Sequence, residues 1–340
     1  MKNKALNRRT FLEAGLLTAA AATLGMGGTT SFPSYAAESS QRKKDAPVKF
    51  AKAMITEPPD EKILREIKEA GFDGVEANLM GLKGPMVTRE EAAKVREIAD
   101  KLGVRVHSVM RGWAEYNSPD PAKVKADQEY TISTMRAAQG YGADVILLVP
   151  GRIGGMKMPE RGDFKIVFDP ATGHITSAAE GDNAPYAEYI QAHNQAWDAF
   201  KVSINELIPI AEETGVIVAV ENVWNNMFLS PEHFAFFVDT FKSPWVQAYF
   251  DVANHMAYGP PPQEWIQVLG KRIKKIHIKD YKINPPDGNE WPSLREGSVE
   301  FPKVMAALEE VGYSGWLTIE GPCGDLKECN QKLELIVAGK

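Results

Sequence analysis

The chain has 340 residues, 44% of them hydrophobic and 25% charged, and a net charge of −6. That balance excludes a disordered or collagen-like chain, and its acidity offers no electrostatic footprint for nucleic acid or an anionic membrane. Two cysteines, Cys323 and Cys329, are too few for a disulfide framework; they form one local bridge in an oxidising compartment or pack on the last helix.

The first residues read as a targeting segment. MKNKALNRRTFLEAG is basic with no acid before Glu13, LLTAAAATLGMGG is apolar, and Ser34-Tyr35-Ala36 offers small residues ahead of a cut. This order predicts a signal peptide over residues 1–37, whose apolar part is shorter than the roughly 20 residues of a membrane span. Arg8-Arg9-Thr10-Phe11-Leu12 resembles the bacterial twin-arginine signal, which implies export to the periplasm or cell envelope; a Sec signal or an uncleaved anchor is the other reading. Residues 38–47 are polar and charged, a flexible leader.

From residue 48 to 340 short apolar runs alternate with amphipathic helical patterns in a single domain. The strand candidates in order are VKFAKAMI, GVEAN at 74, VRVHSVM at 104, ADVILLVP at 143, VIVAVEN at 216, VQAYFDVAN at 246, IKKIHIKD at 273 and GWLTIEG at 315. Helical stretches such as TREEAAKVREIADKLG lie between them and stop at glycine. Strands alternating with helices imply parallel βα units, and eight units at this length predict a (β/α)8 TIM barrel, whose usual size is about 250 residues. No GxGxxG follows the first strand, which argues against an open doubly wound sheet. One connection is long, from about 152 to 184, and FKIVFDPATGHITS inside it predicts a β-hairpin. Following a strand, it either covers the face where barrel active sites lie or makes a contact in a homo-oligomer.

Four strand ends carry acid or imidazole: Glu221, Asp251, His277 and Glu320. Each follows an apolar run, where an isolated carboxylate costs several kcal/mol to bury unless it is paired or ligates a metal. Three carboxylates and one imidazole converging from neighbouring strands suit one divalent ion, with Mn2+ favoured and Mg2+, Co2+ or Zn2+ possible. Glu76 and His107 near strands two and three, together with Lys279, are candidate substrate contacts. Trp113, Trp224 and Trp291 are candidate stacking platforms, whereas His174 and His233 read as uninvolved surface residues.

The motifs VAVEN, FDVANH, IHIKDY and LTIEG, with GFDGVEAN near the start, resemble the sugar isomerase and epimerase superfamily with xylose-isomerase-like barrels. The resemblance implies that Glu221, Asp251, His277 and Glu320 are the metal ligands. It also implies that Glu221 and Glu320 remove and return a proton beside a sugar carbonyl. The departures concern substrate: Met227 and Ile283 stand where ketose 3-epimerases carry Glu and Arg, and Asn254 stands where they carry His, with His255 next to it. The expectation is a metal-dependent isomerase or epimerase acting on an unphosphorylated sugar or keto-sugar. A 3-keto-glycoside lyase or hydratase with the same metal site is the alternative. A non-catalytic sugar-binding protein and a nuclease rank lower, since only six histidines are present for a three-metal cluster.

Overall fold

Alternation along the strands decides how this chain closes. The computed structural model describes residues 50–81 and 86–340, so the expected signal segment and leader lie outside the described residues. In chain order the strands are β1 (Ala51–Thr56), β2 (Gly74–Asn78), β3 (Arg105–Trp113), β4 (Val145–Val149), β5 (Phe164–Phe168), β6 (Ile175–Ala179), β7 (Ile217–Glu221), β8 (Val246–Asp251), β9 (Ile273–Ile278) and β10 (Trp316–Ile319). All but β5 and β6 are parallel and close into one eight-stranded barrel, in the order β1-β10-β9-β8-β7-β4-β3-β2. The helices α1 (Glu61–Ala70), α2 (Arg89–Leu102), α3 (Pro121–Tyr141), α4 (Ala187–Thr214), α5 (Pro231–Thr240), α6 (Pro262–Leu269), α7 (Phe301–Glu310) and α8 (Leu326–Val337) connect them.

The helix ends follow local chemistry. Thr88 opens α2 with a capping box, its hydroxyl accepting from Glu91 N while Glu91 reaches back to the Thr88 backbone. Gly103 ends the same helix at φ 65°, a left-handed conformation that glycine adopts without a Cβ penalty. Among the described residues no helix is long and apolar enough to cross a membrane.

The core has two parts. In β4, Val145, Leu147 and Val149 turn into the barrel with Ala219 and Tyr249, while Ile146 and Leu148 face the helices. The long connection holds the antiparallel pair β5–β6, which pairs around the Asp169–Gly173 turn. That hairpin is anchored by a residue expected at the surface. His233 is fully buried; its Nε2 bonds Gly173 O at 2.8 Å and its ring stacks on Trp197 at 4.5 Å. The Ser230-capped start of α5 carries His233 inward under the insertion. His174 is half-exposed and bonds Asp198 at 2.9 Å. The two cysteines are bridged, closing the loop between β10 and the first turn of α8.

Candidate metal centre

The two-residue period of the strands brings the candidate ligands together. Ala219 and Glu221, Tyr249 and Asp251, Lys275 and His277, and Thr318 and Glu320 share parity along β7, β8, β9 and β10. The intervening Val220, Phe250, Ile276 and Ile319 pack outward against helices. Since the strands are parallel, all four ligands stand at the same rim, with Asp251 paired in register to His277.

One donor atom from each of Glu221, Asp251, His277 and Glu320 lies within 4.8 Å of the others. His277 Nδ1 is 3.3 Å from Glu221 Oε1 and 3.2 Å from Glu320 Oε2. Asp251 Oδ1 accepts from the backbone N–H of Ala253 at 2.8 Å and of Asn254 at 2.7 Å. Among the described residues no hydrogen-bond donor reaches its other oxygen, Oδ2, although that atom is buried. Asn222 braces Asp251 from β7, accepting from Asp251 N at 2.7 Å and donating to Asp251 O at 2.9 Å.

Burial and mutual repulsion shift the carboxylates of this cluster, and the cations beside them oppose that. Burial, opposed by Lys279 but reinforced by Glu320 and Glu221, pushes Asp251 up to about 8. Burial likewise raises Glu221, with Glu320 adding to it. Glu320 feels burial too, yet His277 and Lys279 outweigh it and hold its carboxyl well below the usual range. His277 is raised because Glu76, Glu320 and Glu221 overcome the cost of burying its charge. Three carboxylates with a partnerless buried oxygen and one imidazole fit a hard or borderline divalent ion, and a buried site of these four residues can hold one.

The remaining candidates fall at three levels. Glu76 is buried beneath the ligands, against His277 and Ser108, and does not face the mouth. His107 is deeper. The strand β3 runs on to Trp113, so His107 is its third residue, stacked on Trp316 at 4.3 Å with Nε2 3.0 Å from Thr318 Oγ1. That position leaves His107 fully buried inside the barrel. His255 is also buried, its Nδ1 3.2 Å from Asn222 Nδ2 and its ring 4.8 Å from Trp265, and so packs behind the site.

Lys279 and Asn254 do belong to the rim. The Lys279 ammonium is 3.4 Å from Glu320 Oε2 and 3.3 Å from Asn254 Oδ1. Each of the three tryptophans carries a cation of this chain on its ring: Arg152 over Trp113 at 4.3 Å, Arg161 over Trp224 at 4.0 Å, and Lys279 over Trp291 at 4.5 Å. Trp224 and Trp291 lie 5.1 Å apart beside Tyr281. Sequence reasoning missed Arg161 and Glu290, whose 2.9 Å ion pair ties the insertion to the loop after β9. They are 129 positions apart, and neither has a local pattern that announces the other.

Residues 64–337 match the family model of the xylose isomerase-like TIM barrel. The chain belongs to that family. The L-ribulose-5-phosphate 3-epimerase UlaE of Escherichia coli O1:K1 / APEC is 28% identical over 132 residues, 39% of this chain and 45% of that protein. This chain thus spans under half the length of the first curated relatives it matches. UlaE of Salmonella paratyphi C (strain RKS4594) is 28% identical over 261 residues, covering 76% of this chain and 80% of that one. Among solved structures, the 3-keto-D-glucoside 4-epimerase YcjR of E. coli superposes with a TM-score of 0.61 at 14% identity, covering 85% of this chain and 100% of that one. The IOLI protein with a bound zinc atom gives 0.63 at 16% identity, covering 85% and 98%. At these identities the two structures show a shared barrel.

Proposed function

We propose that the protein is a divalent-metal-dependent sugar isomerase or epimerase acting beside a carbonyl of an unphosphorylated sugar, with Mn2+ as the preferred ion. One observation carries this reading: four donor atoms from consecutive barrel strands within 4.8 Å, around a buried carboxylate oxygen that has no hydrogen-bond donor among the described residues. The names of the UlaE relatives and of YcjR agree with epimerisation. The expected export signal favours an unphosphorylated substrate.

The ion, when bound, would polarise the carbonyl and acidify the neighbouring C–H. Glu221 and Glu320 reach the site from β7 and β10, which are separated by β8 and β9 in the barrel order. Glu221 is nearly enclosed, whereas the Glu320 side chain is 28% exposed and open to the mouth. One removes the proton and the other returns it from the opposite face. Lys279, beside Glu320, donates toward oxygen that gains negative charge as the C–H bond breaks. Asn222 and the backbone N–H groups of Ala253 and Asn254 hold Asp251 in place during this exchange.

A second reading, lyase chemistry on a 3-keto-glycoside, draws on the mouth. The Arg161–Glu290 pair and the Trp224–Trp291–Tyr281 cluster lie beside Lys279, whose ammonium is 4.5 Å from the Trp291 ring, and offer aromatic surface for a larger substrate. The test is exchange in D2O of metal-loaded protein with free ketoses and with 3-keto-glucosides, followed by NMR. Deuterium beside the carbonyl with an inverted product supports the epimerase reading; loss of the C1 substituent supports the lyase. Glu221→Gln should abolish exchange while leaving the fold intact, and a variant that keeps most of the exchange would refute the role given to Glu221.

A further inference from the structure

Glu76 stands apart from the substrate contacts the sequence grouped it with. It is the third residue of β2 and turns into the barrel, while Val75 and Ala77 join the outer core. Its side chain is 0% exposed, and both of its oxygens are engaged. Oε1 accepts from Ser108 Oγ at 2.8 Å, and Oε2 lies 2.6 Å from His277 Nε2. The same imidazole points its other nitrogen, Nδ1, between Glu221 and Glu320.

We infer that Glu76 is a positioning residue of the metal centre: by accepting the Nε2–H of His277 it selects the tautomer whose Nδ1 lone pair faces the ligand cluster. This rests on the metal reading of the preceding section. A neutral imidazole has one N–H and one lone pair, so only one of its two neutral tautomers can ligate through Nδ1. Glu221 and Glu320 would favour the wrong one, because each is an acceptor within hydrogen-bonding reach of an Nδ1–H. That proton would stand between His277 and the ion. Glu76 opposes this with a shorter contact on the far side of the ring. Ser108 holds the carboxylate in line from β3, the strand beside β2. An outer partner of this kind orients its ligand and raises its basicity.

The test uses the full chain, Mn2+ or Zn2+ alone as the probe, and no sugar. Glu76→Gln keeps the volume and can still accept weakly, so the fold should persist. Its dissociation constant for the ion should rise about 10- to 100-fold. In 15N NMR of the wild type loaded with diamagnetic Zn2+, the His277 proton should reside on Nε2, and in metal-free Glu76→Gln, taken to a pH at which the ring is neutral, the two tautomers should mix. An unchanged dissociation constant with unchanged His277 signals would overturn the positioning role while leaving the metal centre standing. If the variant does not fold, the wild-type spectrum decides alone: a loaded protein with its proton on Nδ1 refutes the inference. A wild type that binds no divalent ion overturns both the inference and the metal reading.

Discussion

Replacing Asp251 by asparagine should stabilise the metal-free protein and abolish its response to metal. The side chain is enclosed, with one oxygen held by two backbone N–H groups and the other without a hydrogen-bond donor among the described residues. Asparagine keeps the first arrangement, since its carbonyl oxygen accepts both N–H groups, and it removes a buried ionisable group. In the metal-free fold the Asp251 carboxyl lies at about 8, against 3.8 for an ordinary aspartate. Between those values the folded state binds a proton that the unfolded chain has released, so stability is full below 3.8 and is lost as pH rises through about 8. With each pH unit worth about 1.36 kcal/mol, the penalty at pH 7 is on the order of 4 kcal/mol, an upper bound on what the variant recovers. A bound ion would reverse the balance in the wild type, adding about 2.7 kcal/mol at a hundredfold excess over the dissociation constant. The assay is thermal and urea unfolding from pH 5 to 8, with EDTA and with Mn2+. Metal-free Asp251→Asn should unfold later than metal-free wild type and show a flatter pH dependence, and Mn2+ should shift only the wild type. A variant less stable than wild type in EDTA, or one stabilised by Mn2+ to the same extent, would refute the reasoning.

The buried histidines beneath the insertion set a second pH dependence. Burial above all holds His193 at about 4 and His233 at about 3, against 6.5 for a free imidazole. The unfolded chain therefore binds more protons below 6.5, and stability falls as pH drops from there toward 4, by roughly 3 kcal/mol for His193 alone. Urea unfolding between pH 7 and 4.5 should show this loss, and His233→Asn should reduce its slope; a variant with the wild-type slope would place the cause elsewhere. The Cys323–Cys329 bridge closes a short loop, so the double change to serine should cost about 2 kcal/mol through freedom regained by the unfolded chain. Chemical denaturation of the two forms compares them directly, and equal midpoints would show that the bridge contributes nothing.

What the sequence determined by itself is tied to period and position. An apolar run such as VILLV has few options in a chain that alternates strand and helix, and the closed parallel barrel follows from eight such units. The clustering of the four candidate ligands was legible for the same reason: a carboxylate or imidazole at the end of a buried strand, repeated on four successive strands, announces a shared rim. Roles that depend on what lies across the barrel were not legible. Glu76 and His107 both sit on early strands with similar local patterns, yet one ends against His277 and the other against Trp316, two levels fixed by strand length and barrel register. The cations over the three tryptophans and the Arg161–Glu290 tie join loops far apart in the chain, and only closure of the barrel brings those loops to one mouth. Local sequence specifies which face a side chain takes, because the strand repeats every two residues. Its partner is chosen by strands that meet only after the sheet has closed.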